Sequence, residues 1–323
     1  MRAIVIQKFG GPESLVIKEL PDPEPKPGHV VIQVKAFGIN HAEMHMRRGE
    51  WAEAAEVSGI ECVGLVNSCP GGEFRVGTKV AALMGGMGRT INGSYAEYTR
   101  PPATNVAQIE SNLPWEDLAA LPESYATAWT CLFRNLELVE GQTLVIRGAM
   151  SSFGQAALNM AVNAGAQVIA TARSQDRFQK LNALGARRVE IEGPNLSERI
   201  PEAKRIDAVL DLVGNSTILD SLAMLRRGGR ACLAGFLGGL APVPDFNPLL
   251  QMSSGVHFSF FGSFVFGKPG FPLSDVPLQT IAEEVAAGRY QAKPVRVFRF
   301  EDIREAHRVM ESSQAGGKMV VLV

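Results

Sequence analysis

The sequence predicts an α/β protein, a doubly wound parallel sheet joined to a second domain of barrel-like β-structure. Three observations carry this. The first hundred residues hold short Val- and Ile-rich runs cut by Gly, Pro and charged turns. From about Pro114 onward, strands and helices alternate strictly, which implies parallel βαβ units. Between them, an apolar strand runs through small residues directly into an Ala-rich helix at 143–164.

In chain order, residues 3–7, 15–20, 30–37, 62–66 and 79–83 read as strands, with turns such as Phe9-Gly-Gly-Pro-Glu13 between them. Residues 42–48 read as a short helix, and the Gly-rich stretch 84–93 as a flexible surface loop. A helix spans 118–136, bent or started by Pro122. Then come strands at 143–147, 167–172, 188–191, 208–212 and 230–234, with helices at 153–164, 175–184 and 217–225 between them. The tail adds a helix at 277–287, a strand at 295–300, a helix at 302–312 and a strand at 318–323.

Hydrophobic content of 46% with 20% charge describes a globular chain, and a net charge of -1 offers no basic footprint for nucleic acid. The pairs Arg187-Arg188 and Arg226-Arg227 read as solvated helix ends or loops. The apolar run 256–266 is too short to cross a bilayer. Cys62, Cys69, Cys131 and Cys232 form no C-x-x-C pair; spacing leaves disulfides open, but scattered thiols suit a reducing cytosol better. The start, Met-Arg-Ala-Ile-Val-Ile-Gln-Lys, lacks the apolar core and cleavage site of a signal peptide. A cytoplasmic protein is the expectation.

The turn Gly148-Ala-Met-Ser-Ser-Phe-Gly154 is the chemical centre. A helix N-terminus leaves backbone N–H groups unpaired and its dipole favours an anion. Small residues at 148, 149, 151, 152 and 154 let a pyrophosphate approach. The glycine fingerprint is imperfect: with Gly154 as its third glycine, Ala149 and Ser151 stand at the first two positions. The turn thus reads either as a dinucleotide site or as a tight strand–helix connection. Where an acidic residue would hold the ribose of NAD, the next strand ends in Arg173 and Ser174, with Arg177 one turn on. Guanidinium groups match a phosphate, so these residues favour NADPH over NADH; the alternative is an ordinary solvated helix start. Asp176 is expected to support the following helix N-terminus.

The whole chain resembles the quinone oxidoreductases, the zinc-independent branch of the medium-chain dehydrogenase/reductases. The resemblance is carried by Phe9-Gly-Gly-Pro-Glu13, Val34-Lys-Ala-Phe-Gly-Ile-Asn40, Arg48-Gly49, Gly59-Ile-Glu-Cys-Val-Gly64, Val76-Gly-Thr-Lys-Val80, Gly93-Ser-Tyr-Ala-Glu-Tyr98, Leu121-Pro122, Thr127-Ala128-Trp129, Asp211-Leu-Val-Gly214 and the closing Gly317-Lys318. It implies a GroES-like catalytic domain over 1–121, an NADP-binding Rossmann domain over 122–263, and a return to the catalytic domain over 264–323. It implies that Ala149, Ser151, Ser152, Phe153 and Gly154 meet the pyrophosphate. Val213, Gly235, Phe236 and Lys318 would complete the cofactor site. Arg177 falls where the family usually carries a Lys for the 2′-phosphate. A tyrosine often found after the third nucleotide-domain strand is replaced here by Val189-Glu-Ile-Glu-Gly193. The edge strand near Phe260 often pairs across a homodimer in the family.

The resemblance also implies that no catalytic zinc is bound. Zinc-dependent relatives use Cys, His and Cys; this chain has Asn40 at the first position, Ile60 at the His position, and Glu123-Ser-Tyr-Ala-Thr-Ala without a cysteine in the third region. His29, His41, His45, His257 and His307 are too dispersed for a metal motif, and His257 and His307 read as structural. Without a Lewis acid, the sensible substrates spread developing charge through a conjugated system, as quinones and enones do. Asn40 either hydrogen-bonds an acceptor carbonyl or orders its own turn. His45 either donates to the developing oxyanion or is a surface histidine. Thr127 lies near the nicotinamide by family position, or is a helix hydroxyl bonding back to a carbonyl. Phe260, Phe261, Phe264 and Phe266 form either a pocket wall or an interface or core.

The expected activity is NADPH-dependent reduction of a quinone or other conjugated carbonyl. Two alternatives stay open: an alkenal, enone or enoyl-thioester reductase, and a non-catalytic NADPH-binding protein.

Overall fold

The computed structural model describes residues 1–312 and 315–323. Its contacts divide the chain into one unit of Met1–Ala126 with Ser263–Val323 and a second of Thr127–Gly262. The chain opens with β1 (Arg2–Ile6) paired antiparallel to β2 (Leu15–Glu19). Then follow β3 (Val31–Ile39), α1 (His41–Arg48), β4 (Glu61–Ser68), β5 (Lys79–Leu83), β6 (Tyr98–Thr99), β7 (Val106–Gln108), α2 (Trp115–Ala119) and α3 (Pro122–Trp129). At the start of α1, the Glu43 carboxylate reaches back to the Asn40 N–H (2.7 Å), half of a capping box. Gly49, at φ +71°, ends the helix as only a residue without Cβ does cheaply.

The second unit is β8 (Thr143–Arg147), α4 (Ser152–Asn163), β9 (Gln167–Ala172), α5 (Phe178–Ala183), β10 (Arg188–Ile191), α6 (Leu196–Arg199), β11 (Ile206–Asp211), α7 (Ile218–Met224), β12 (Leu225–Leu233), α8 (Pro248–Gln251) and β13 (His257–Phe260). Its six strands lie in the order β10-β9-β8-β11-β12-β13, all parallel. Strands β8, β9 and β11 are buried over nearly their whole length, as central parallel strands covered on both faces must be. The order reverses between β8 and β11, the point where open α/β sheets leave a crevice beyond their strand ends.

The chain then returns to the first unit through α9 (Leu278–Ala286), β14 (Arg296–Arg299), α10 (Ile303–Glu311) and β15 (Met319–Leu322). There β15 lies antiparallel to β3, completing a sheet of order β14-β15-β3-β4-β5-β7 with β6 also on β3. Its core joins distant segments: Phe37 stacks on Tyr95 at 4.5 Å and meets Phe300 edge-on at 6.5 Å, each ring burying enough apolar area to contribute about 2 kcal/mol or more.

Several expectations need correction. The stretch 84–93 is no loose surface loop, because Met87 is fully buried in the β core and accepts the Thr99 hydroxyl at 3.6 Å; its glycines permit tight turns, with Gly85, Gly86 and Gly88 all at positive φ. The single helix at 118–136 is three pieces, α2, α3 and a π-helical turn at Thr130–Asn135. Pro122 starts α3, where its missing N–H costs nothing. Arg188 begins strand β10 and Arg226-Arg227 lie within β12; they are not helix ends, and Arg188 and Arg226 pair with Glu202 and Asp207. The four phenylalanines form no common wall: Phe261 and Phe266 are buried, Phe260 and Phe264 exposed. His257 is exposed on the edge strand β13, whereas His307 is a core residue. Strands β6 and β7 and helices α6 and α8, all very short, escaped the sequence reading.

Candidate functional site

In the second unit, β8 ends in the fully buried Arg147, and the chain turns at Gly148 with φ +76°. The Gly148 N–H donates to Thr171 Oγ1 (3.0 Å), and its carbonyl accepts both the Ser151 N–H (3.1 Å) and the Ser151 hydroxyl (3.0 Å). Ser151 is the N-cap of α4, accepting the Gly154 N–H at 3.0 Å. A Cβ on Gly154 would come within 2.6 Å of Ala149 Cα and 2.7 Å of the Gly148 carbonyl, so glycine is obligatory there. These contacts refine the sequence reading. Ala149 is fully buried beneath Gly154 and presents nothing outward. Ser151 spends its hydroxyl on the turn itself. The part-exposed Ser152 and Phe153 occupy the first two helical positions, whose N–H groups have no intrahelical partner. That arrangement fits a pyrophosphate.

At the end of β9, Arg173 and Ser174 are exposed and Arg177 is part-exposed. Asp176 lies in the turn before α5, its carboxyl held below the ordinary range by the Ser174 hydroxyl and by Arg177, whose Nε is 3.2 Å away. Half-burial, together with the Arg177 charge, pushes the Lys180 ammonium down. Beyond β11, Val213 and Gly214 donate their N–H groups to buried Asp211, each at 2.9 Å. The Gly238 N–H bonds the Val213 carbonyl (2.7 Å), and a Cβ on Gly235 would meet the Leu212 carbonyl at 2.8 Å, so the loop with Gly235 and Phe236 lies against the end of β11. Thr127 is buried in α3.

In the first unit, Lys318 is nearly buried. Its ammonium donates to Asn40 Oδ1 (2.7 Å) and pairs closely with fully buried Glu61. Glu61 also accepts the Asn40 amide (2.8 Å) and the Glu123 N–H (2.8 Å). The second Asn40 amide hydrogen is directed at Glu43 Oε1 (3.3 Å), which also takes the Ile60 N–H (3.2 Å). Both Asn40 donors therefore point into this cluster, and bonding an acceptor carbonyl would require giving one up. One of the three Lys318 N–H bonds is not taken by these partners. Burial pushes the Glu43 carboxyl up to about 8; Lys318 opposes this, the Glu61 charge adds to it, and the Asn40 bonds oppose it. His45 pairs through Nδ1 with Glu50 and stacks on Trp51 with ring centroids 5.5 Å apart.

Sequence reasoning missed the partners of these groups. Arg147, Glu192, Thr171 and Asp211 form a buried polar set under the turn, and Glu43, Glu61 and Lys318 form the other. One signal was present: an arginine closing an otherwise apolar strand must find a carboxylate. Ile60 is buried and apolar, Asn40 and Glu61 are bound to an ammonium, and no group of three or more His, Cys, Asp or Glu is arranged to hold a metal among the described residues. The two buried carboxylates here, Glu61 and Glu43, already hold the Lys318 ammonium and N–H donors, a lining that offers zinc no thiolate or imidazole ligand. Nor is any helix among the described residues long and apolar enough to cross a membrane.

Comparison with known proteins bears on both halves. The alcohol dehydrogenase GroES-like domain family matches residues 26–111, and the zinc-binding dehydrogenase family matches residues 153–273. The human quinone oxidoreductase is 28% identical, with 100% of this chain and 98% of that protein covered. A mycobacterial protein solved in complex with NADPH is 25% identical with a TM-score of 0.84, each chain covered in full. A protein described as an NAD-dependent alcohol dehydrogenase is 27% identical with a TM-score of 0.84, again over the full length of both.

Proposed function

This chain belongs to the quinone oxidoreductase-like medium-chain dehydrogenase/reductases, a nicotinamide-dependent oxidoreductase family, and from that premise we propose that it reduces quinones or other conjugated carbonyls with NADPH and without a catalytic zinc. The observation that carries the cofactor preference is the end of β9, where exposed Arg173 and then Arg177 stand in place of a ribose-binding carboxylate. Asp176 offsets part of the Arg177 charge, which makes Arg173 the stronger contributor. The N–H groups of Ser152 and Phe153, at the positive end of the α4 dipole, would hold the pyrophosphate.

When bound, the nicotinamide supplies a hydride. The protein supplies orientation and charge. Lys318, fixed by Glu61 and Asn40, carries a positive charge with one N–H to spare. Such a group stabilises negative charge building on an acceptor oxygen, as a metal would elsewhere. Conjugated acceptors need only that modest help. The exposed edge of β13, with Phe258 and Phe260 facing solvent, suits pairing with a second copy of this chain. Four scattered cysteines, with no C-x-x-C pair among them, suit a reducing cytosol.

The test is turnover. Metal-depleted enzyme should oxidise NADPH in the presence of 1,4-quinones, faster than with 2-alkenals. NADPH binding without acceptor-dependent oxidation across a broad panel would instead support a non-catalytic binding protein, and activity that returned only with added zinc would contradict the metal-free chemistry.

A further inference from the structure

We propose that Arg147 is a positioning residue for the nucleotide turn, acting through Glu192 and Thr171 on the Gly148 amide; this rests on the reading that the turn binds a dinucleotide. Arg147 is fully buried and meets no solvent, so any effect on a ligand must pass through its neighbours. Its guanidinium grips Glu192 through Nε (3.2 Å) and, closely, through Nη2. Nη2 also bonds the Gly193 carbonyl (3.0 Å), and Nη1 bonds Asp220 (2.7 Å). Glu192 in turn accepts the Thr171 hydroxyl at 2.6 Å. With its hydrogen committed to that carboxylate, Thr171 Oγ1 offers a lone pair to the Gly148 N–H.

Gly148 is thereby held at both ends, its N–H by Thr171 and its carbonyl by Ser151. Ser151 then caps α4 through the Gly154 N–H. A continuous hydrogen-bonded path runs from Arg147 through Glu192, Thr171, Gly148 and Ser151 to the helix end. Gly148 has the conformational freedom of a left-handed glycine, so without this tether the peptide is free to rotate and misdirect the N–H groups that follow. Burial alone would lower the Arg147 pKa, but Glu192, Asp211 and Asp220 hold it above the ordinary value, which keeps the grip charged at all working pH.

Replacing Arg147 would also unsettle the fold, so the test cuts the path at its thinnest link. Thr171→Val keeps side-chain shape and leaves the Arg147–Glu192 pair intact; Thr171→Ser restores the hydroxyl. Losing one hydrogen bond to a charged network should weaken NADPH binding about tenfold. The KM for NADPH should rise in step while kcat at saturation changes little, hydrogen exchange at the Gly148 amide should quicken in the free protein, and Thr171→Ser should return all three. NADPH affinity in Thr171→Val equal to wild type would overturn the proposal, as would a Thr171→Ser variant as impaired as Thr171→Val. If wild type binds NADH alone, the phosphate reading fails, yet the same loss of NADH affinity in Thr171→Val upholds this one. Wild type that binds neither nucleotide overturns both.

Discussion

The two units each bury a cation among carboxylates, and they do it differently. In the nucleotide-type sheet, Arg147 fans its planar guanidinium over Glu192 and Asp220, and the carboxylates find further donors: Asp220 takes the Leu196 and Ser197 N–H groups, and Glu192 takes Thr171. In the β unit, Lys318 is a point charge facing Asn40 and Glu61, with Glu43 held beside them by N–H donors and no cation of its own. The first arrangement is saturated and rigid. The second leaves a carboxyl group titrating near neutral pH and a donor to spare, which marks functional sites more often than structural ones. A fork that satisfies every partner preorganises; a point charge that does not is free to work.

Removing Arg147 is the harshest way to break this comparison. Arg147→Met leaves the part-buried Glu192 and Asp220 without their cation and should cost about 3 kcal/mol in urea unfolding; a loss under about 1 kcal/mol would mean that the fork is dispensable. Lys318→Met strands Glu61 in the same way, at about 3 kcal/mol near pH 8. It should regain stability at a higher pH than the Arg147 variant, because Glu43 already holds its proton to about 8 and loses the opposing Lys318 charge, whereas Glu192 and Asp220 keep O–H and N–H donors. The two variants unfolding with the same pH dependence would contradict this difference between the fork and the point charge.

Glu43 sharpens the contrast further. Its folded pKa of about 8 exceeds its ordinary 4.5, so the folded state holds the extra proton between these values and stability declines as pH rises through that window. Glu43→Gln should flatten this decline in thermal melts taken from pH 5 to 8. The opposite sign of pH dependence belongs to His307, buried neutral between Arg47 (3.3 Å) and the Tyr95 hydroxyl (3.1 Å). Burial and then the Arg47 charge lower its pKa to about 3 from 6.5. The unfolded chain therefore binds the proton first, and stability falls as pH drops from 6.5 toward 3. His307→Gln, which keeps one acceptor and one donor, should shallow that acid limb; an unchanged limb would assign it to other groups.

Much of the fold was legible because it rests on local signals. The alternation from β8 to β12 follows from apolar runs and helix periodicity, and Thr143–Arg147, Gln167–Ala172 and Arg188–Ile191 fall at the expected residues. What escaped depends on tertiary contact. Nothing local says that Met87, among four nearby glycines and polar residues, enters the core. The Lys318–Glu61 pair spans 257 residues of sequence; Glu192 and Asp220 reach Arg147, and Thr171 reaches Glu192, only once the strands are in register. The small residues of the Gly148–Gly154 turn were visible; that Ser151 caps the helix while Ala149 is buried was not.

The central claim, that guanidinium groups at the end of β9 select the phosphorylated cofactor, is tested most directly by calorimetric titration of NADPH and NADH into wild type and an Arg173→Gln/Arg177→Gln variant. Wild type should prefer NADPH by about tenfold or more, the worth of a charge-assisted bond or two. The variant should lose that preference and bind NADH as before. Wild type that binds NADH as tightly as NADPH, or a variant that keeps its preference, would contradict it.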